Sequence, residues 1–261
     1  RRAAMRSLAV AAIVSILGLA ACGGGKSGTS KAPPSNATAQ GSQASVATAE
    51  NGSSSSVDVS SSPAPGAPPF EVLSSTDNLA SNDSYEIYGE VRNNTNQAAG
   101  EITVHVTLFD SNKKQITQPI SETTALRNMT PAGERTPFYF VFADGKKLKA
   151  KVGSYELTAE GVPTDQQPVQ GLVVSGEKVT TTPKGGYSLA GRLTNTTGST
   201  ITSPELVATF YDPAGKVVRV GQAVFQESAF APQQGDDFTF PYSDLGKATI
   251  VKYVLVPQTG E

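Results

Sequence analysis

The chain repeats itself, and the repeat limits the fold more than any other feature. A shift of 102 positions lays Gly89 on Gly191, Asn93 on Asn195 and Thr95 on Thr197 without a gap. The same shift lays Leu108-Phe109-Asp110 on Phe210-Tyr211-Asp212, Gly133 on Gly235, Phe138 on Phe240 and Phe140 on Tyr242. Each copy must therefore close its own core with about 90 residues, the size of an ordinary small domain.

Within a copy the hydrophobic period is two. Ile102, Val104, Val106 and Leu108 alternate with Glu101, Thr103, His105 and Thr107, the pattern of a half-buried strand. Copy two repeats it with Leu206, Ala208 and Phe210 against Glu205, Val207 and Thr209. Turn-forming residues punctuate the strands at Asn93-Asn94-Thr95-Asn96, Asp110-Ser111-Asn112, Pro131-Ala132-Gly133 and Asp212-Pro213-Ala214-Gly215. No sustained 3.6-residue period follows the N-terminal segment. Many short strands with frequent turns predict an all-β chain: two tandem immunoglobulin-like or fibronectin-like antiparallel β-sandwich modules. The likeness is one of shape, because the Cys…Trp…Cys signature of antibody domains is absent.

The order Tyr-x-x-x-Gly-x-Val/Leu-x-Asn, then an alternating strand, then an aromatic-Asp turn, occurs twice. It reads Tyr85 to Asn93 and on to Val106-Thr107-Leu108-Phe109-Asp110, then Tyr187 to Asn195 and on to Ala208-Thr209-Phe210-Tyr211-Asp212. This order resembles the FxLYD domain, a β-sandwich module of secreted proteins and lipoproteins. The departures fall in the name motif, whose leading Phe is Val106 or Ala208 and whose Tyr is Phe109 in copy one. The resemblance implies a fold and an extracytoplasmic setting, with no common catalytic residue to carry over. The matched residues also have physical roles of their own. Gly89 and Gly191 mark a bulge or a close backbone approach within strands. Asn93 and Asn195 bond local backbone and take left-handed geometry at a strand exit, and Asp110 and Asp212 accept N–H groups of the following turn.

The two modules follow a polymer of another kind. Leu8 to Ala21 is apolar apart from Ser15 and Gly18, Arg6 precedes it, and Leu19-Ala20-Ala21-Cys22 closes it. Basic, apolar and small-residue regions in that order make an export signal. The stretch is too short for a stable transmembrane helix, which needs roughly 20 residues. Cys22, the sole cysteine, stands where the bacterial lipobox, which this motif resembles, places the lipidated N-terminus. That resemblance implies a diacylglycerol thioether on Cys22. The chain opens on Arg1-Arg2, so the expected start is Met5 or lies upstream.

Residues 23–68 are dominated by Gly, Ser, Ala, Thr, Pro, Asn and Gln, with Val46, Val57 and Val59 the only large apolar side chains before Pro68. Such a segment cannot bury enough surface to offset its ordering entropy. It reads as a disordered tether with a mean reach of roughly 35–40 Å and a limit on the order of 150 Å. The expected organisation is signal 1–21, lipidated Cys22 and tether 22–68, module one 69–162, linker 163–170 and module two 171–261.

Catalytic and metal signatures are sparse. His105 is the sole histidine, and it falls on the polar face of its strand, where copy two has Val207. Without clustered Cys or carboxylate partners it makes a poor transition-metal ligand, and a Ser–His or Cys–His device has one candidate base only. There is no Gly-x-Ser-x-Gly elbow, Walker loop or dinucleotide fingerprint. Asp236, Asp237 and Glu227 are the candidates for a carboxylate pair, and Asp236 and Asp237 with turn carbonyls for a calcium site. Asp236 and Asp237 are neighbours in a strand, though, and face opposite ways, so a solvated turn is the expected outcome. Lys146-Lys147-Leu148-Lys149-Ala150-Lys151 reads as an exposed loop and edge strand ahead of a contact with anionic lipid. Phe70, Phe225, Phe230, Phe238 and Phe240 are expected to fill cores, with Phe225 and Phe230 the pair that would otherwise flank an exposed patch. Without the three leader arginines the net charge is about −5, which gives no footprint for nucleic acid.

These features predict a lipid-anchored, extracytoplasmic protein of the bacterial cell envelope. Its modules form a non-catalytic binding or spacer surface for a protein or glycan partner, with no cofactor and no metal. The alternative is small-ligand or metal-ion capture in a cleft between the modules near Pro163–Pro168. The anchor is the part most directly checked. Cys22→Ser should move the protein from the membrane to the soluble fraction on cell fractionation, and a variant that stays with the membrane contradicts the lipobox assignment.

Overall fold

The computed structural model describes residues 47–50, 66–183, 185–243, 245 and 248–260. The signal, Cys22 and most of the tether lie outside the described residues; within the stretch expected to be disordered, Ala47–Glu50 instead form a strand paired with Lys252–Leu255. The elements in chain order are β1 (Ala47–Glu50), β2 (Phe70–Leu79), β3 (Tyr85–Asn93), β4 (Ala99–Phe109), β5 (Gln115–Ile116), β6 (Glu122–Thr124), β7 (Arg135–Phe142), α1 (Gly145–Lys149) and β8 (Ser154–Pro163). The second half continues with β9 (Leu172–Thr181), β10 (Tyr187–Asn195), β11 (Ile201–Thr202), β12 (Pro204–Tyr211), β13 (Val217–Val224), β14 (Ala229–Phe230), β15 (Gly235–Tyr242) and β16 (Lys252–Thr259). Every strand pairing is antiparallel.

Two hydrophobic cores form, one per copy. In the first, sheet β2-β3-β7 faces a sheet in which β4 carries β8 on one edge and β5 and β6 on the other. Ile87, Val91, Phe138 and Phe140 from one side meet Ile102, Val104, Val106 and Leu108 from the other. In the second, sheet β15-β10-β9 faces sheet β1-β16-β12-β13. Leu189, Leu193, Phe238 and Phe240 meet Leu206, Ala208, Phe210 and Leu255 there. Each core is thus the apolar half of the period-two pattern, and the all-β antiparallel sandwich architecture holds. Phe225 and Phe230 lie inside the second core with ring centroids 5.3 Å apart, and Phe70 packs against the first.

The repeat needs one correction. The 102-residue offset holds from β2 and β9 through β4 and β12, but the structure equates β7 with β15 at an offset of 100. Gly89 pairs with Phe138, and Gly191 pairs with Phe238, not with Phe240. Gly133 likewise matches Gln233: both have positive φ (77° and 63°) and both donate their N–H to the repeat asparagine, Asn93 or Asn195. Copy two is two residues shorter before this strand, and alternating aromatics disguise a slip of two because they restore the same face.

The other repeat positions explain themselves locally. A Cβ on Gly89 would stand 2.4 Å from Phe138 Cζ and 2.6 Å from Ser74 O, and on Gly191 2.6 Å from Phe238 Cζ. The register of each flanking strand slips at that level, between Val72 and Ser74 and between Ala190 and Arg192. Asn93 donates to Gln97 O (2.8 Å) and Thr130 O (3.0 Å), and Asn195 donates to Ser199 O (2.7 Å) and Phe230 O (2.8 Å). Neither asparagine takes the left-handed conformation expected of it. Each stays extended as the last residue of its strand, where its amide bridges two loops. Asp110 and Asp212 accept turn N–H groups at 2.8–2.9 Å, as expected.

The lysine cluster departs from the expected loop and edge strand. Asp144 adopts φ 53°, ψ 40°, and the chain turns into the five-residue α1. Leu148 packs on the end of the first core, and Lys149 pairs with Asp77 over the Tyr85 ring.

Gly89→Ala should lower stability by about 2–3 kcal/mol through overpacking against Phe138. Gly100→Ala, whose nearest foreign atom would lie 3.5 Å away, should change it little. Chemical denaturation of the two variants checks the contrast.

Candidate functional site: the junction and the open sheet faces

Alternation predicts that each sandwich shows a polar outer face to water. β3 does not obey. Tyr88, Glu90 and Arg92 point away from the first core, yet all three are buried. On β12, Val207 and Thr209 are buried too, on the face predicted to be polar. The two departures have one cause: β13 of the second sandwich lies against the outer face of β2-β3-β7. Tyr88 and Leu126 of the first sandwich pack with Tyr211, Val217, Val220 and Val254 of the second.

The polar groups within this junction are matched across it. Glu90, 2% exposed, accepts Arg135 Nη1 at 2.9 Å from its own sandwich and the Tyr211 hydroxyl at 2.9 Å from the other. The Arg219 guanidinium stands 5.2 Å from the centroid of the Tyr88 ring, within cation–π range. At the rim, Asn128 Nδ2 donates to Thr259 O at 2.6 Å, and Gln258 Nε2 donates to Leu126 O at 3.0 Å. Burial pushes the Glu90 carboxyl above the ordinary carboxylate range, even though Arg135 and the Tyr211 hydroxyl pull the other way. The phenols of Tyr88 and Tyr211 are raised as well, first by burial and then by the carboxylates beside them.

The junction is written in residues that differ between the copies. At the positions of Tyr88 and Glu90 copy two has Ala190 and Arg192, and at the position of Val207 copy one has His105. The contrast between Val207 and His105 was the sequence signal for a covered face. Outer faces that lack these residues stay open. Arg192, half exposed, pairs with Asp237 at 2.8 Å on the face of β10 and β15. His105, 39% exposed, has Glu160 at 3.4 Å and Glu122 at 3.8 Å.

The predicted chemical candidates remain apart from one another or solvated. Asp236 caps the N–H of Asp237, while Asp237 turns to Arg192. Glu227 lies exposed in the loop after β13. Among the described residues no group of three His, Cys, Asp or Glu side chains is placed to hold a metal ion. The linker at Pro163–Pro168 runs along the first sandwich, with the Thr164 N–H on Ala98 O at 2.9 Å. Between the sandwiches Tyr88 and Leu126 pack with Tyr211, Val217, Val220 and Val254, and the ligand-capture alternative places its cleft near Pro163–Pro168. No described helix is long and apolar enough to cross a membrane. Val162 and Val224 are exposed singly, whereas Tyr139 and Val141 are exposed side by side on β7.

No family model and no curated protein matches the chain. Among solved structures it is similar to red sea bream transglutaminase (10% identity, 73% of this chain and 29% of that one, TM-score 0.25). It is also similar to the C-terminal globular domain of the oligosaccharyltransferase of Pyrococcus abyssi (11%, 74% and 48%, TM-score 0.22). A third is the N-terminal tandem CBM22 domain from Paenibacillus barcinonensis (12%, 71% and 74%, TM-score 0.16). The chain spans less than half the length of the first two, and at these TM-scores the likeness carries no argument about activity.

The junction gives a signed pH dependence. A carboxyl whose folded pKa is raised contributes most when protonated, so Glu90 favours the folded state at acid pH. That contribution fades as pH rises through the ordinary carboxylate range to the raised value. Glu90→Gln keeps the shape without the charge, and replaces one accepting oxygen by an amide N–H donor that the Tyr211 hydroxyl oxygen can accept. It should flatten this part of the profile of melting temperature against pH, and profiles of equal slope would contradict the burial assigned to Glu90.

Proposed function

We propose that this protein is a lipid-anchored, non-catalytic platform of the bacterial cell envelope. In this reading Cys22 carries the lipid, the segment between it and β1, which is paired to β16, gives reach, and the two sandwiches present a binding surface to a protein or glycan partner. The observation that supports it is the junction. A tethered pair of independent modules would leave the outer face of each first sheet wet. Here Tyr88, Glu90 and Tyr211 are withdrawn from water to fix one sandwich against the other. Fixing two modules is useful to a binding surface, because a pre-organised surface loses less freedom on association.

In-cell crosslinking of the intact protein, with Cys22→Ser in parallel, tests the proposal. A recurrent crosslinked species that depends on Cys22 is the expected outcome. Crosslinks at background level in both strains would contradict a binding role at the membrane.

A further inference from the structure

We infer that the free edge of β7 in the first sandwich is a strand-accepting site, and that it takes an extended peptide with apolar side chains at alternate positions. The inference rests on the binding-platform reading and gives that platform a place and a partner chemistry.

Successive residues of a strand send their backbone groups to opposite edges. Phe138 and Phe140 pair with Gly89 and Ile87 on the β3 side. Pro137 points the other way, and its carbonyl accepts the Leu126 N–H at 2.8 Å. Tyr139 and Val141, two and four residues further on, therefore aim their N–H and C=O groups out of the same edge. Among the described residues neither has a backbone partner there. Their side chains, 41% and 40% exposed, stand beside those groups on the outer face of the sheet. The edge thus already accepts one backbone hydrogen bond at Pro137, then continues bare for the length of two more outward residues.

Unpaired, apolar edges are what natural sheets guard against, often with proline or charge. Copy two shows such a guard. The residue opposite Ser188, equivalent to Val141 opposite Glu86, is Pro241, which has no N–H to offer. In the first copy the proline on this edge is Pro137, at the end already bonded to Leu126, so the N–H that Pro241 lacks is kept at Val141. Recognition by strand addition takes affinity from main-chain bonds and selectivity from alternate side chains. The apolar neighbours Tyr139 and Val141 call for apolar residues at those alternate positions.

Val141→Pro copies the guard of the second sandwich, so the fold has a precedent for it. The experiment uses the full lipidated protein in detergent, an eight-residue peptide alternating valine and threonine, and amide exchange read at Tyr139 and Val141. Both amides should exchange fast in the free protein. They should slow about tenfold with peptide at roughly ten times its Kd, and Val141→Pro should abolish the effect at Tyr139. Three results overturn the inference: amides already protected without peptide, equal protection of Tyr139 in Val141→Pro, or self-association abolished by Val141→Pro, which makes a second copy the occupant. If peptide protection is absent while Cys22-dependent crosslinks persist, the β7 site fails and the platform stands; if both are absent, the platform fails as well.

Discussion

The arrangement of the two sandwiches depends on one buried carboxylate. Glu90 sits on the outer face of β3, where a lone charge withdrawn from water costs several kcal/mol. It is tolerated because Arg135 reaches it from the neighbouring strand and Tyr211 from the other sandwich, each at 2.9 Å, with the charge of Arg92 acting in the same direction. Removing either partner leaves the charge incompletely matched, so the two sandwiches are coupled through the solvation of a single group. The apolar packing of Tyr88 with Val217 and Val220 excludes the water that would otherwise hydrate Glu90.

The same junction shows how a duplicated fold acquires asymmetry. β3 and β10 occupy equivalent places, with the same Tyr-x-x-x-Gly spacing and the same terminal asparagine. Their inner residues are alike because both must fill a core. Their outer residues have diverged: Tyr88 and Glu90 face a protein surface, while Ala190 and Arg192 face solvent. β7 and β15 also differ at their outer edge, where the proline stands at Pro137 in one copy and at Pro241 in the other. Conserved inner faces keep the fold, and the outer faces and edges differentiate the copies.

The two cores were legible in the sequence because period-two alternation is a local signal, and Ile102 to Leu108 and Leu206 to Phe210 each carry it. The turn roles of Asp110 and Asp212 were legible for the same reason. The offset in the last third was misread because a slip of two leaves the aromatic faces unchanged. The junction was not read as such because burial of an outer face is decided by a segment more than a hundred residues away. Its trace was present in Val207, an apolar residue on a face predicted to be polar, and in Glu90, a charge with one partner, Arg135, in its own copy and another, Tyr211, in the other. The conversion of the lysine cluster into α1 depended on the positive φ of Asp144 and on Leu148 finding the end of the core. Neither is visible in charge spacing.

With the Glu90 junction in place, the two sandwiches tumble as one body. Backbone 15N relaxation across residues 69–162 and 171–260 measures this most directly, through the rotational correlation time of each half. The account predicts a single correlation time for both halves, set by their combined mass. Two shorter and independent times would mean that the Glu90 junction does not hold in solution.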